Sequence, residues 1–304
     1  MSHRTHALLF FLLAAVLGAC SATPSNRAEG QETTTGPRTL RVLTYNLHHG
    51  EGTDGVLDLE RIARVIEGAD VDLVALQEVD RGCERTGGVD QLAWLAERLE
   101  MDLSFAKFMD FQGGEYGLGI LSRLEPLGAW AIELPPGERE PRAAAAIRVP
   151  SPLGGELVFV SAHFDWLSDD TARFAQANAL IAALEGEPSV VLAGDLNDVP
   201  GSRTIGALDA AFLRHGTEGG ARREPQLPWS FPSDRPDRQI DFVMYRHPGQ
   251  AHPGQTQEVA AGSSITGTTE VLEVPVVSDH CPVLAVLRLR DPAPIPASDA
   301  TGTR

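Results

Sequence analysis

The stretch Val190–Asp198 constrains the fold of this chain most, because an apolar β-type run ends abruptly in acidic and amide side chains. A buried strand gives such a run a rigid base, and Gly194 at its end allows a tight turn. If strand geometry persists, Asp195 and Asn197 lie on one face and project into a cleft. The alternative is an ordinary turn, in which Asp and Asn cap backbone groups after a strand. The other polar clusters of the chain decide between the two interpretations.

The charge of the chain limits its partners. Its 304 residues include 42 acidic and 25 basic side chains, which give a formal net charge of −17. This balance argues against a protein that binds nucleic acid mainly through a basic face, although an acidic protein still has room for a local cationic groove. Neither a repeat nor an internal linker interrupts the hydrophobic pattern. Residues 39–290 are therefore predicted to form one catalytic domain.

The N-terminus predicts export and lipid attachment. A short basic head precedes an apolar run over 7–17, which is too brief to span a bilayer. The run leads into Leu-Gly-Ala-Cys, which resembles the bacterial lipobox, and Cys20 would become the lipidated first residue. An ordinary cleavage site with a coincidental cysteine is the alternative. We predict a signal peptide over 1–19, a flexible tether over 20–38, and an extracytoplasmic protein that is anchored to the membrane of a bacterial cell envelope.

The periodicity of the chain predicts many strands and few helices. Helices are predicted where a capping Asp or Ser precedes an apolar face of helical period. They begin after Asp58, Asp90, Asp169 or Asp170, and Ser202. Strands are predicted at 40–45, 71–76, 103–109, 118–122, 127–134, 143–149, 156–163, 190–195, 239–245 and 281–289. The tail over 291–304 is rich in Pro and Ala and is predicted to be disordered.

Five separate strands end in, or carry, polar groups of the types that bind a hard divalent cation and handle phosphate. These groups are Asn46, Glu78, His163, Asp195 with Asn197, and Asp279 with His280. One such placement is ordinary by chance, whereas all five together are not. With Asp241 they complete a set of short motifs in order along the chain. The motifs are Thr44-Tyr45-Asn46, Leu76–Val79, Gly119–Arg123, Ala162-His163, Gly194–Asn197, Arg238–Phe242 and Ser278–His280.

These motifs resemble those of the endonuclease/exonuclease/phosphatase superfamily, and the match spans almost the whole mature domain. The resemblance implies an α/β fold, a four-layer α/β/β/α sandwich of two mixed β-sheets with helices outside, as in deoxyribonuclease. It also implies a metal-dependent hydrolase that cleaves a P–O bond by direct attack of water. Members of the superfamily cut DNA, RNA, sphingomyelin, inositol phosphates and other phosphate esters, and some relatives are linked to glycosylphosphatidylinositol processing. The fold alone therefore does not choose the substrate.

The resemblance also implies a metal site and a base. Mg²⁺, or Mn²⁺ in its place, prefers oxygen ligands. Glu78 is the first predicted ligand, Asn46 is a second ligand or an orienting donor, and Asp279 completes the shell. By resemblance, Asp195 orients and deprotonates the attacking water, and Asn197 donates to the developing charge. The alternative for Glu78 is a cap on the turn after its strand.

Two histidines stand at positions that match the superfamily, His163 and His280. Each is expected to have a carboxylate partner, Asp241 for His163 and Asp279 for His280. Such a partner holds the ring tautomer and favours the imidazolium form. Which histidine is the acid and which is the base stays open.

Three arginines in or beside the site loops, Arg81, Arg142 and Arg238, are predicted to contact the substrate phosphate. Solvated surface charge is the competing interpretation for each of them. His48 and His49 follow the first motif closely, and the favoured account of both is an ordinary surface or loop histidine rather than a place at the rim of the site.

These observations predict a secreted, membrane-tethered, divalent-metal-dependent phosphoesterase. The lipid anchor and the acidic surface favour a lipid head-group, a glycolipid or a small phosphodiester as substrate. An extracytoplasmic nuclease acting on DNA or RNA is the alternative, because acidic deoxyribonucleases with the same site are consistent with this charge. A non-catalytic binding module or structural envelope lipoprotein is a further hypothesis, and the intact set of acidic, amide and histidine residues argues against it. The sequence sets no oligomeric state.

Overall fold

A computed structural model describes residues 38–214, 229–248 and 264–290. The predicted signal peptide, lipidation at Cys20, the tether apart from Arg38, and the predicted disordered tail lie outside the described residues. Within the described ranges, no helix is both long enough and apolar enough to cross a membrane.

Twelve strands and four α-helices make up the described part of the chain. The strands are β1 (Thr39–Asn46), β2 (Leu73–Arg81), β3 (Asp102–Phe111), β4 (Gly114–Ser122), β5 (Gly128–Leu134), β6 (Arg142–Pro150), β7 (Glu156–His163), β8 (Val190–Asp195), β9 (Leu213–Arg214), β10 (Asp241–Arg246), β11 (Ser264–Val271) and β12 (Val283–Arg290). The helices are α1 (Leu59–Ala69), α2 (Gln91–Leu99), α3 (Thr171–Ala183) and α4 (Arg203–Ala211). Three of the four predicted caps accept a hydrogen bond from the first helical turn, namely Asp58, Asp90 and Ser202. All four helices begin where the capping residues predict.

The strands form two six-stranded sheets, with the orders β11-β12-β1-β2-β4-β3 and β5-β6-β7-β8-β10-β9. In each sheet one central pair is parallel, β1 with β2 and β7 with β8. The remaining pairs are antiparallel, so both sheets are mixed. The predicted fold class is confirmed.

Alternating side chains separate the layers. On β8, Val191 and Ala193 belong to the core between the two sheets, whereas Val190 and Leu192 pack on the other face with residues of α3 and α4. A third cluster joins α1 and α2 to the first sheet. Because both faces of a central strand are covered, its sequence is continuously apolar instead of alternating with polar residues. That is why the Val190–Asp198 stretch stands out.

Strand pairing brings the candidate residues to one edge. Asn46 at the end of β1 lies opposite Gln77 of the parallel strand β2. His163 at the end of β7 lies opposite Asp195 at the end of β8. Asp195 also lies opposite Asp241, the first residue of the antiparallel strand β10. Positions far apart in sequence therefore meet at the same end of the two stacked sheets.

Three strands differ from the sequence expectation, and one of them is the two-residue strand β9, which is too short to show a pattern and was not predicted. β2 does not end at Leu76 but continues to Arg81, with a shift in register between Leu76 and Val79. β11 was not predicted, because Ser264–Val271 contains three Thr and one Gly and has little apolar alternation. It pairs along its whole length with β12, so neighbouring structure supplies what local pattern lacks.

The role of Gly194 also differs. It lies inside β8 and does not adopt a positive φ, so it does not make the predicted tight turn. A Cβ at this position would lie 2.0 Å from the carbonyl oxygen of Ala162 on β7. Glycine is therefore needed for the close approach of two backbones, beside the residues that carry the site.

Candidate functional site

Asp195 lies at the centre of the site. Its buried carboxylate accepts a hydrogen bond from Nδ2 of Asn46 at 3.1 Å and another from the backbone N–H of Asn197 at 2.9 Å. The Nε2 atoms of His163 and His280 lie 3.5 Å and 3.6 Å from Oδ2 of Asp195. The structure thus brings both predicted histidines, the predicted base and Asn46 together around one carboxylate.

Asn197 differs from its predicted geometry. The strand ends at Asp195, and Asn197 adopts a left-handed conformation with φ of 50°. Its Nδ2 group donates to the carbonyl oxygen of Phe164 at 3.1 Å. One amide hydrogen therefore ties the end of β8 to the chain after β7, and the other is left for a ligand.

His280 pairs with Asp241 and not with Asp279. Its Nδ1 lies 3.0 Å from Oδ2 of Asp241, and Oγ of Ser230 donates to the same oxygen at 2.6 Å. Asp279 instead has its Oδ1 3.4 Å from Oγ of Ser278. This pair fixes the tautomer of His280, so that its Nε2 is directed towards the centre of the site.

The expected partners of both histidines were therefore wrong. Asp241 was expected beside His163, but β8 lies between β7 and β10 in the sheet and separates the two residues. Asp279 precedes His280 directly in a bend of the chain, and its carboxylate lies against Ser278 instead of the His280 ring.

Burial and neighbouring charge give the three titrating groups different states. Burial raises the pKa of Asp195 to about 7, although the charge of His280 opposes this. Burial alone would lower the pKa of His280, but Asp241 and Asp195 outweigh it and raise the pKa to about 10. Burial and the charge of Arg142 hold the pKa of His163 well below its usual range. The shift of the His280 pKa favours the expected imidazolium form, whereas the shift of the His163 pKa favours the neutral form.

A bulge positions Glu78. Its backbone is left-handed, with φ of 57°, at the register shift of β2. Non-glycine residues in this conformation are strained by about 1–2 kcal/mol, and such residues cluster at functional sites. Oε1 of Glu78 accepts from Nδ2 of Asn46 at 3.1 Å, while Oδ1 of Asn46 accepts from the N–H of His48. Asn46 therefore links the carboxylates of Glu78 and Asp195, as the predicted orienting donor would.

A comparison with known families identifies the chain. The model of a family described as "Endonuclease/Exonuclease/phosphatase family" matches residues 43–280, which is more than half of the chain. The chain belongs to this family. The resemblance inferred from the motifs is thereby confirmed.

Solved structures that share the fold include two proteins that carry the name of this family and one human domain. A family protein from Beutenbergia cavernae is similar with a TM-score of 0.61 and 24% identity, over 83% of this chain and 72% of that chain. One from Bacteroides vulgatus has a TM-score of 0.63 and 21% identity, over 83% of this chain and 99% of that chain. The human Nocturnin catalytic domain has a TM-score of 0.62 and 16% identity, over 83% and 95% of the two chains.

The family depends on divalent metals, and the chain has groups that fit one. The ligand atoms of Asp195, Asp241 and His280 lie within 4.8 Å of one another. His280, however, uses Nδ1 for Asp241 and is held protonated, and a protonated imidazole is a poor ligand. Oε1 of Glu78 lies beside this cluster, because the Nδ2 group of Asn46 that donates to it also donates to Asp195, and a carboxylate oxygen is what a hard cation prefers. The oxygen of Asn46 itself accepts from the N–H of His48.

The three predicted phosphate contacts lie in different environments. Arg81 is 42% exposed and pairs with Glu115 at 2.5 Å. Arg238 is half exposed and lies over the ring of Phe231, which in turn contacts His280. Arg142 is almost fully buried at the start of β6. The structure therefore brings Arg142 into the protein interior beside β7 and leaves the other two at the surface.

Sequence reasoning missed Ser230, whereas its account of His48 and His49 as loop histidines agrees with the structure. Ser230, eleven residues before Asp241 in the sequence, donates a hydrogen bond to the Asp241 carboxylate. The sole sequence feature that points to Ser230 is its position between two aromatic residues. His48 and His49 lie half-buried in a 3₁₀ turn directly after β1. Burial and the charge of Arg85 lower the pKa of His49 to about 4. The rings of His48 and His49 both contact Glu51 of the same loop, as the favoured account of ordinary loop histidines predicts, and only the backbone N–H of His48 contacts the site residue Asn46.

Proposed function

We propose that this protein is a secreted, membrane-tethered, divalent-metal-dependent phosphoesterase that hydrolyses a phosphodiester or phosphomonoester by direct attack of water. One observation carries the proposal, which is the buried carboxylate of Asp195 with Nε2 of His280 lying 3.6 Å from its Oδ2. Burial raises the pKa of this carboxyl to about 7, and the charges of Asp241 and Asp195 raise the pKa of His280 to about 10 in spite of burial. A base that titrates near neutral pH and an acid that stays charged are the two partners that hydrolysis of an ester needs. Membership of the endonuclease/exonuclease/phosphatase family supports the same class of reaction.

Each residue at the centre of the site has its own role in the proposed reaction. Asp195 accepts the proton of the attacking water, and Asn197 uses its free amide hydrogen towards the phosphate oxygens. His280 is held by Asp241 so that Nε2 donates to the charge that develops as the P–O bond breaks. His163 is neutral and acts as a hydrogen-bonding group and not as the acid.

Glu78, with Asn46 and Asp279, would hold the cation, which we assign as Mg²⁺ with Mn²⁺ as a substitute. When bound, it supplies positive charge to the phosphate oxygens. Oxygen ligands on the bulge of β2 and at the end of β1 fit the preference of these ions. Ser278 ties the loop that carries Asp279 to this place, because its Oγ donates to the backbone oxygen of Asn46 at 2.7 Å.

The substrate that we favour is a lipid head-group, a glycolipid or another small phosphate ester. Two exposed tryptophans support a membrane-facing site. Trp229 directly precedes Ser230, and Trp166 follows His163 by three residues. Tryptophan is enriched where an apolar surface meets water, as at a membrane interface. The net charge of −17 disfavours a long nucleic acid, which is kept as the alternative substrate.

The reaction is tested with bis-p-nitrophenyl phosphate and the mature chain. We expect hydrolysis with Mg²⁺ or Mn²⁺, none with EDTA, and none in Asp195→Ala or His280→Ala. Glu78→Gln should raise the Mg²⁺ concentration needed for half-maximal rate by about 10- to 100-fold. Turnover that persists in EDTA and in both alanine variants would refute the proposal.

The substrate class is tested side by side on phospholipid vesicles, phosphorylated sugars, RNA and duplex DNA. Preference for the lipid or sugar esters, with little dependence on salt, supports the favoured substrate. Preference for DNA or RNA, with activity that falls steeply as salt is added, supports the nuclease instead.

Membrane tethering is tested separately by Cys20→Ala. The wild-type chain should fractionate with membranes and incorporate labelled fatty acid, and the variant should do neither. A wild-type chain that carries no acyl group would contradict the tether without affecting the proposed reaction.

A further inference from the structure

Arg142 is a buried cation with unused donors. Its side chain is 1% exposed, and only Nη2 is paired, with Oε2 of Glu140 at 3.0 Å. Nε and Nη1 are buried and have no hydrogen-bond partner among the described residues. Burying such N–H groups without an acceptor is costly, and arginine has no neutral form to adopt instead. Groups of this kind in a native protein require an explanation.

The surroundings of Arg142 form one wall of the site. Its Cζ lies 5.2 Å from the centroid of the Phe108 ring, and that ring lies 6.2 Å from the ring of His163. Phe108 also packs against Tyr116, with ring centroids 5.9 Å apart. Pairing of β6 with β7 places Arg142 beside the end of β7, where His163 lies. We call these residues, Arg142, Phe108, Tyr116 and His163, the basic wall.

The basic wall lies next to the reacting centre, and His163 is the member of the wall that contacts it. His163 is the residue between them, since its Nε2 is 3.5 Å from Asp195 while its Nδ1 is buried and has no partner among the described residues. The described contacts of Arg142 are with Glu140 and Phe108, and none is with Asp195, Asp241 or His280. An anion bound by Arg142 would therefore lie beside the phosphate that is attacked by the water that Asp195 deprotonates.

We propose that Arg142 forms a second anion subsite, which binds a phosphate group of the substrate other than the one that is hydrolysed. The inference rests on the proposed function and narrows its substrate to esters with at least two phosphate groups. The planar guanidinium donates two hydrogen bonds to one phosphate, and its stacking on Phe108 holds the plane in place. Tyr116 and Phe108 offer an apolar face to the part of the substrate between its two phosphates.

A pair of chromogenic esters isolates the second phosphate. The p-nitrophenyl ester of thymidine 5′-phosphate has only the reacting phosphate, and the same ester with a 3′-phosphate has a second one. The quantity to measure is the ratio of kcat/KM for the bisphosphate to kcat/KM for the monophosphate. This ratio cancels any general loss of active protein.

Three variants test the ratio in opposite directions. Arg142→Met should lower it by about 10- to 100-fold, mostly through KM, because charge-assisted hydrogen bonds to the second phosphate are lost. Glu140→Gln frees Nη2 and removes the competing charge, so it should raise the ratio, which misfolding does not do. Arg139→Met is the matched control, since it removes the same charge from an exposed side chain that stacks on Trp166, and it should leave the ratio unchanged.

Two outcomes would overturn the subsite. Equal losses on both esters in Arg142→Met would place this arginine on the reacting phosphate. A ratio that stays the same in Arg142→Met and in Glu140→Gln would leave Arg142 without a substrate contact.

If the wild-type chain hydrolyses neither ester, the proposed function fails on these substrates, and binding of inorganic pyrophosphate in EDTA still tests the subsite. Calorimetry should then show binding to wild type and loss in Arg142→Met, and absence of binding to wild type would refute it.

An experiment on vesicles distinguishes a lipid head-group from a soluble ester as the source of the second phosphate. Phosphatidylcholine vesicles that contain phosphatidylinositol are compared with vesicles that contain phosphatidylinositol 4-phosphate. If Arg142→Met lowers the activity on the phosphorylated lipid alone, the second phosphate belongs to a lipid head-group. If the variant lowers the activity on the thymidine bisphosphate alone, the second phosphate belongs to a soluble ester. Dependence in both arms supports recognition of the phosphate itself.

Discussion

Two buried histidines lie on either side of Asp195 in opposite states of charge. His280 contacts two carboxylates, Asp241 and Asp195, and these raise its pKa to about 10. His163 has Asp195 at 3.5 Å and the charge of Arg142 nearby, and its pKa falls well below the usual range. Both rings are equally removed from water. Burial lowers the pKa of both rings, and the difference between them comes from the number and sign of the neighbouring charges, which are carboxylates beside His280 and the cations Arg142 and His280 beside His163.

This difference assigns separate tasks to the two sides of the cleft. The acidic side contains the two groups that exchange protons, Asp195 and His280, and Asp241, which orients His280. The basic wall contains a neutral ring and a permanent cation, and neither changes its charge near neutral pH. The acidic side is thus suited to chemistry and the basic wall to binding. Changes on the acidic side should affect kcat, and changes on the basic wall should affect KM.

Asp195→Asn should have the largest effect, because it removes the one carboxylate within the described residues that both histidines approach. Asparagine has the same shape and does not accept a proton from water. We expect kcat for bis-p-nitrophenyl phosphate to fall by about 10²- to 10⁴-fold, the usual contribution of a general base. Thermal unfolding serves as the control, since the fold should be retained. A fall in kcat of less than tenfold would break the assignment of the base.

Asp241→Asn should have the next largest effect and should act on one histidine alone. In wild type the charged form of His280 is present below its raised pKa and is lost as pH rises through about 10. Without the Asp241 charge that pKa falls, so the alkaline limb of the kcat profile should move to lower pH. NMR titration of the ring protons in EDTA should show the shift for His280 and no change for His163. Equal shifts in both rings would mean that the two sides are not distinct.

The same group links pH to stability. Its pKa in the folded state lies above the ordinary value of 6.5. The stabilisation from the charged His280 is therefore complete below pH 6.5 and is lost as pH rises towards about 10. Asp241→Asn should reduce this pH dependence of the unfolding temperature in the metal-free protein.

The sequence predicts the fold and the members of the site, because both depend on local patterns. Apolar runs that end in Asn46, His163 and Asp195 identify buried strands, and parallel pairing brings their ends together. The helix starts follow from caps such as Asp58. Each of these features depends on a stretch of only a few consecutive residues.

The partners within the site were not predictable in the same way. Asp241 pairs with His280 because β10, and not β7, carries it to that side of β8. The bulge that positions Glu78 depends on the register with β4 and leaves no mark in the sequence. The burial of Arg142, compared with the exposure of Arg81, depends on which strand covers each of them. Sheet order and register are properties of the whole fold.

Arg81→Gln should have the smallest effect, and it sharpens the contrast with Arg142. Arg81 is 42% exposed and already pairs with Glu115 at 2.5 Å, while its Cζ lies 4.7 Å from the ring centroid of Phe105. Exposed ion pairs contribute about 0–1 kcal/mol, so even a contact between Arg81 and the substrate should change kcat/KM by less than about fivefold. The measurement is kcat/KM on the two thymidine esters at low and physiological salt. A larger loss that appears only with the bisphosphate would move the second anion subsite from the buried arginine to the exposed one, since solvent-screened charge would then be doing what the basic wall is proposed to do.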